Sequence, residues 1–308
     1  MEHLWIGLAV FAALMQAVRT AAQKLLNRRL STLATTYVRS LYGLPVMLVY
    51  LGVVLSTVGG GVPRMSTAYL AFTFLGALAQ VIATMLLISM FRLRNFAVGS
   101  VMTKCDIVLT ALIGWLFFSE AHSVGGLLAL AVVMAGVLLM SLGQIAAGGI
   151  GVERPTITKA LFAEPTRIAI ACAFTFSLSY LFLREATLAM EEGGGFLWRG
   201  AWTVVLATAM QTLFVGLWLW RTEPAAFSAF WPNRRVSLFI GVTSALGSIA
   251  WYTAFALQNA SYVRAVGQVE VVFTLAISML YFRERISRPE LAGIAATVAG
   301  VLLFRLLS

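Results

Sequence analysis

Long apolar stretches recur along this chain at intervals of about thirty residues, broken by short polar turns. A helix needs roughly 20 mostly apolar residues to cross the hydrocarbon layer of a bilayer. Ten stretches approach that length: 4–26, 33–55, 67–90, 97–118, 123–143, 165–188, 196–220, 235–257, 262–282 and 288–306. Turn formers divide them. Gly59-Gly60-Gly61-Val62-Pro63 separates the second stretch from the third, Gly193-Gly194-Gly195 the sixth from the seventh, and Pro224 with Pro232 the seventh from the eighth. Each is a backbone signal for leaving a helix. The longest hydrophilic segment, 146–164, opens on Gly148-Gly149-Ile150-Gly151 and Pro155 and reads as a linker between residues 1–145 and 165–308. Met1-Glu2-His3 lacks a basic leader region, so Leu4 onward is expected to be a retained first span. The expected fold is an all-α membrane protein of ten transmembrane helices.

The chain also repeats itself. Shifted by 164 positions, residues 91–139 fall on 255–303 with 17 identities among 49 positions. Asn95 falls on Asn259, Thr110 on Thr274, Glu120 on Glu284, and Ala135-Gly136-Val137-Leu138-Leu139 on Ala299-Gly300-Val301-Leu302-Leu303. Shared apolar composition does not place Asn and Glu in register. Each repeat holds five spans, and an odd number makes the second repeat enter from the opposite face. Two inverted five-helix repeats follow, a build common among secondary transporters.

Composition agrees. The chain is 60% hydrophobic and 11% charged, with a mean hydropathy of +0.91, against about 25% charged residues in soluble domains. A secreted disulfide scaffold, a disordered chain and an ordinary cytosolic enzyme are excluded. Cys105 and Cys172 both lie in apolar runs and suggest neither a disulfide framework nor a metal site. The net charge of +10 sits in short connecting loops, which reads as membrane orientation rather than nucleic-acid binding. Loops 1–2, 3–4, 5–6, 7–8 and 9–10 hold 14 basic residues: Lys24, Arg28, Arg29, Arg92, Arg94, Arg154, Lys159, Arg167, Arg221, Arg234, Arg235, Arg283, Arg285 and Arg288. The other face holds two, Arg64 and Arg305. The positive-inside rule then places both termini outside the cytoplasm. The expected location is the plasma membrane, as a multi-pass protein of a bacterial inner membrane.

Charges inside the spans carry the functional signal, because each costs roughly 2.5–3.5 kcal/mol at the bilayer centre. They are Arg19, Arg39, Lys104, Arg184, Arg199 and Arg264, with Asp106, Glu185 and Glu270. At 1.5 Å per residue, Arg19, Arg39 and Lys104 fall about 10 Å inside the cytoplasmic boundary, and inversion moves Arg184, Arg199 and Arg264 toward the other. Arg199 and Arg264 stand near span ends, where a long side chain can snorkel. Asp106 and Glu270 are repeat mates near mid-span. The expected arrangement is two symmetry-related gates, Arg39–Asp106 and Arg199–Glu270, made and broken alternately. Pairing an acid with an arginine lowers the cost of burying both. The first cluster has a surplus of +2 and the second of +1, which favours a cargo bearing carboxylate or phosphate.

Further candidates for lining a cavity are Gln16, Gln80, Thr84, Thr110, Ser177, Tyr180, Ser248, Trp251, Tyr252, Gln268 and Thr274. A binding site needs a few placed polar groups in an apolar wall; helix-packing contacts are the competing role for any one of them. Trp198, Trp202, Trp218, Trp220 and Trp231 lie near span ends and are expected to form an interfacial belt. Glu120 and Glu284 read as loop or helix-end anchors.

The pattern resembles the drug/metabolite transporter superfamily, in its EamA-type ten-span branch. The resemblance rests on the two five-span halves and on a doubled signature: Leu116-Phe117-Phe118-Ser119-Glu120 followed by Gly136, and Leu280-Tyr281-Phe282-Arg283-Glu284 followed by Gly300. Arg39 and Arg199 match an arginine often found near the start of the family's second span. Thirteen residues before the glutamate the family often has proline; here Ile107 and Val271 stand there, so no proline kink is expected at the acids. The resemblance implies cytoplasmic termini, against the charge count. It also implies a secondary active carrier, commonly an exporter, of a small polar metabolite such as an amino acid or organic anion. A coupling proton held by Asp106 or Glu270 would be a second partner. Rival readings are a flippase for a lipid-linked substrate and a membrane scaffold without transport. No nucleophile–base or metal constellation appears, since His3 and His122 lie at a terminus and in a loop; an enzyme and a cofactor are not expected, and the chain could act as a monomer or a homodimer.

Overall fold

A computed structural model describes residues 3–90, 103–147, 164–190, 195–282 and 288–307. The beginning of the fourth stretch, most of the 146–164 linker, Glu284, and the basic residues Arg92, Arg94, Arg154, Lys159, Arg283 and Arg285 lie outside the described residues. The described elements are all helical: α1 (Leu4–Leu26), α2 (Thr32–Thr57), α3 (Thr67–Met90), α4 (Asp106–Phe117), α5 (Val124–Ala147), α6 (Glu164–Leu188), α7 (Phe196–Thr222), α8 (Ala226–Phe230), α9 (Arg234–Phe255), α10 (Ala260–Gly267), α11 (Val269–Phe282) and α12 (Arg288–Leu307). Six of them, α1, α2, α3, α6, α7 and α9, are long and apolar enough to cross a membrane, and shorter apolar helices lie in α4, α5 and α12.

Local chemistry sets several boundaries. Ser31 is extended, and its side chain accepts a hydrogen bond from the Ala34 amide at 3.0 Å, capping α2. At the end of α4, Ser119 takes a left-handed backbone with φ 53°, an uncommon conformation for a residue with a Cβ. The turn it makes brings the Glu120 amide back to the Gly114 carbonyl at 3.0 Å. The ninth stretch is two helices. α10 stops at Gly267, and α11 restarts at Val269. α4 likewise starts at Asp106, after a turn at Lys104 and Cys105. Under the 164-residue shift, Gln268 falls on Lys104 and Glu270 on Asp106. The second repeat therefore breaks its fourth helix just before an acid, without proline, and in the first repeat a turn precedes the matching acid.

Helix packing obeys the repeat. α3 packs on α6 and α9 on α1; α4 on α6 and α11 on α1; α2 on α9 and α7 on α3. Each pair maps onto the other when the halves are exchanged. α2 with α7, and α5 with α12, pack as self-exchanging pairs. The α5–α12 contact shows this in atoms. A Cβ on Gly136 would meet Thr297 Oγ1 at 2.5 Å, and one on Gly300 would meet Val133 Cγ2 at 2.5 Å; Gly136 and Gly300 are shift mates, and so are Val133 and Thr297. Small residues here let the backbones approach, as is usual at membrane helix contacts.

The halves are inverted. The α1–α2 connection touches the segment before α9, where Arg29 donates to Asn233 Oδ1 at 3.2 Å. The α2–α3 connection touches the start of α7, where Trp198 Nε1 donates to the Gly61 carbonyl at 3.1 Å. The first connection of one repeat thus shares a face with the second connection of the other. Gly60, at φ 94°, makes room for the Trp198 ring. Trp198 is 2% exposed, so it is a buried prop for this loop and not a member of an interfacial belt. Trp218, Trp220 and Trp231 are exposed, as a belt requires.

Burial is the reverse of a soluble protein's. Val49, Leu213 and Phe117 are 70–76% exposed along the outside. Arg19, Gln23, Arg39, Asp106, Gln211, Arg264 and Glu270 are buried. The molecule faces oil and keeps its polar groups inside.

Candidate functional site

The interior polar groups gather where α1, α6, α9, α10 and the starts of α4 and α11 meet. Asp106 stands in the first turn of α4. Its Oδ2 accepts from Arg264 Nη2 at 2.8 Å and its Oδ1 from Gln268 Nε2 at 3.4 Å. Thr110 and Ser177 both donate to the Asp106 carbonyl, at 2.6 and 2.9 Å, fixing the turn that presents the acid. Thr274 repeats the first of these bonds on the Glu270 carbonyl at 2.9 Å. Thr110, Ser177 and Thr274 therefore hold the backbone of the two acids.

Glu270 accepts from Gln16 Nε2 at 2.8 Å and lies 3.9 Å from Lys104 Nζ. Gln16 in turn accepts from Trp251 Nε1 at 3.2 Å. The acids thus bind across the halves: Lys104 to Glu270 and Gln268 to Asp106 are shift-related contacts. Arg264 adds a cation held between rings. Its guanidinium lies 4.4 Å from the Tyr180 centroid and 5.0 Å from that of Trp251. Phe176 stacks on Tyr180, and Phe255 on Trp251, closing an aromatic box. A cation on an aromatic face contributes about 2 kcal/mol when desolvated.

Arg39 forms a separate hub. It donates to Thr84 Oγ1 at 3.0 Å, Gln80 Oε1 at 2.6 Å and Gln211 Oε1 at 3.1 Å, while Gln211 Nε2 donates to Gln80 at 2.7 Å. Every one of these partners is neutral. Arg19 is 8% exposed and lies within electrostatic reach of Arg39, Glu270, Tyr180 and Arg264. Tyr252 stands likewise near Arg39. Ser248 is buried on α9. Arg19 Nε, Arg264 Nε and Nη1, and Gln268 Oε1 are buried without a hydrogen-bond partner among the described residues.

The expected gates are corrected by this geometry. Asp106 pairs with Arg264, not Arg39, and Glu270 with Lys104, not Arg199. Arg199 stands at the first turn of α7, half-buried, and among the described residues it joins no ion pair. Arg264 does not snorkel. It is 3% exposed, because the break at Gln268 carries the short helix α10 into the interior. Arg184 leaves the cluster for the end of the molecule where the α4–α5 and α9–α10 connections meet. There its Nε donates to Glu120 Oε1 at 2.9 Å and its Nη2 to Asn259 Oδ1 at 2.8 Å. Glu120 also accepts from the Ala260 amide at 2.9 Å and from Ser261 at 3.4 Å. It is an anchor, and it ties one half's loop to the other half's helix. The sequence reading missed Gln211, whose signal is a lone amide in the middle of an apolar span.

These features define a polytopic membrane protein built from two inverted repeats around a buried, cation-rich centre. The chain belongs to the EamA-like transporter family, whose model matches residues 3–142 and 167–306. The two matched segments are offset by the same 164 residues. It is thus a membrane transporter of the drug/metabolite type, in a family of transporters rather than enzymes. Among solved structures 27 chains match. One, titled "Crystal structure of protein", superposes with a TM-score of 0.71 at 15% identity, covering 100% of this chain and 97% of that one; the likeness is one of fold. No curated protein matches.

Proposed function

We propose that the protein is a secondary active exporter of a small metabolite bearing a carboxylate or phosphate, in the plasma membrane of a bacterial cell, with loops 1–2 and 7–8 on the cytoplasmic side. The observation that supports this reading is the charge of the centre. Arg19, Arg39, Lys104 and Arg264 stand against Asp106 and Glu270, a surplus of +2. Arg39 and Arg19 form no ion pair among the described residues, and Arg39 is held ready by amides and a hydroxyl. A buried guanidinium without a counter-ion is costly, and an anionic cargo removes that cost while it is bound. Rocking of the two repeats around such a site would give access from each side in turn. Glu270 is the better candidate for a coupling proton, since its cation stands at 3.9 Å and Asp106 has one at 2.8 Å.

Flux of labelled amino acids and organic anions into sealed vesicles carrying the purified protein tests this. Saturable flux that responds to a pH gradient is expected. Replacing Arg39 by Gln removes a charge-assisted contact with the cargo and should slow anion flux by about 10- to 100-fold. Replacing Glu270 by Gln should abolish the response to the gradient. Non-saturable flux, or full activity in Arg39→Gln, would overturn the reading.

A further inference from the structure

We infer that the face carrying the α1–α2 connection holds a binding site for an anionic phospholipid. Two hollows adjoin there. One, of about 350 Å³, is lined by Arg29, Pro232, Asn233, Arg234, Arg235 and Val236. The other, of about 230 Å³, is lined by Leu25, Leu26, Arg28, Arg29, Asn233 and Val236. They share Arg29, Asn233 and Val236, so a basic chamber opens directly onto an apolar one.

The site is built rather than scattered. Arg29 donates to Asn233 Oδ1 at 3.2 Å, joining the end of the first helix to the start of the eighth span. Asn233 is itself held by a bond from its Nδ2 to the Ala229 carbonyl at 2.9 Å. Arg234 donates to the Trp231 carbonyl at 3.2 Å and lies 4.8 Å from the centroid of that ring. Neither hollow has an acidic residue in its wall. Leu25, 59% exposed, and Leu238, 52% exposed, continue the apolar surface along α1 and α9, and Trp231 is 73% exposed at the level of the loops. An exposed tryptophan at a span end marks the depth of the headgroups.

The order of chemistries matches a phospholipid. A phosphate carries one negative charge with oxygen acceptors, which guanidinium groups bind well. An acyl chain needs an apolar channel beginning at the same depth. A free phosphate would use the basic chamber and leave the apolar one unfilled, and a zwitterionic lipid would bring a cation against arginines. Basic pockets between transmembrane helices are a recognised way of holding anionic headgroups. This inference does not depend on which cargo the centre carries.

Phosphatidylglycerol binding to the purified full chain in neutral detergent, followed by native mass spectrometry and by thermal unfolding, is the test. Phosphatidylglycerol should bind and raise the unfolding temperature, while phosphatidylcholine and inorganic phosphate at the same concentration should do neither. The single variants Arg29→Gln and Arg235→Gln should each weaken phosphatidylglycerol binding about fivefold, and Arg29→Lys should keep most of it. Arg64→Gln, on the opposite face, should leave it unchanged. Equal binding of phosphatidylcholine, an equal effect of inorganic phosphate, or undiminished binding in both glutamine variants would each overturn the site. The thermal shift needs only folded protein, so a variant with a lowered baseline still reports its response to lipid.

Discussion

Asp106 and Arg264 lie 158 positions apart and share a bridge of 2.8 Å with both side chains about 4% exposed. Neither charge has water to fall back on. Removing one partner of such a pair strands the other, at a cost of about 3–5 kcal/mol, while removing both can be neutral. Asp106→Asn should therefore lower the unfolding free energy by several kcal/mol. Arg264→Gln should lower it less, because Asp106 can take up a proton. The double variant should be more stable than Asp106→Asn alone. Chemical unfolding of the three variants in one detergent measures the cycle, and additive losses would show that the bridge carries no coupling. Arg264→Lys separates the ion pair from the aromatic box: it keeps the charge but loses the flat face that lies against Tyr180 and Trp251.

The elements show where a hydropathy pattern stops being informative. Leu4–Leu26 in α1 coincides with the first apolar stretch, and α3 with the third, because a run of apolar residues in lipid has few alternatives to a helix. The repeat was also legible, since Asn, Thr and Glu kept register across 164 residues. The turn before Asp106 and the break before Glu270 were not. Neither carries proline, and Gln268 looks like any polar residue in a span. The pairing of charges was hidden for the same reason. A continuous ninth helix puts Arg264 near a membrane surface, whereas α10 as a separate half-helix puts it in the centre. Gly267 is the joint. A Cβ there would strike the six-membered ring of Trp251, and Trp251 holds both Gln16 and Arg264. Gly267→Ala should cost about 1–3 kcal/mol through forced repacking. It should also slow transport through the displaced ring, read as a fall in maximal flux in vesicles. An unaltered flux and unfolding temperature would mean the ring has room to move.

At the scale of the whole molecule, the two ends of the bundle are closed by different chemistry. At one end the Arg29 guanidinium meets the uncharged Asn233 amide in an exposed contact, with no ion pair to Arg29 among the described residues. At the other, Glu120 is 3% exposed and binds Arg184, the Ala260 amide and Ser261 together. His122 adds a contact to Ser261 at 2.8 Å, and the Ser123 amide donates to the Tyr262 hydroxyl at 2.9 Å. Every one of these bonds except that to Arg184 joins a first-half loop to α10, and Arg184 itself comes from the second half. An outward movement of one half must break them as a set, so the end nearer Glu120 is latched in this conformation. Alternating access requires that the latch be worth little enough to open. A charge-assisted hydrogen bond contributes about 1.5–3 kcal/mol, so Glu120→Gln should raise the open population by about 10-fold or more. A cysteine at Ser261, in protein lacking Cys105 and Cys172, reports this through its rate of reaction with a membrane-impermeant maleimide. The rate should rise in Glu120→Gln, and a second reporter at Ser228, exposed on the far face, should be unaffected. If Ser261 reacts no faster while transport persists, the halves separate somewhere other than at Glu120, and this set of bonds is a fixed hinge.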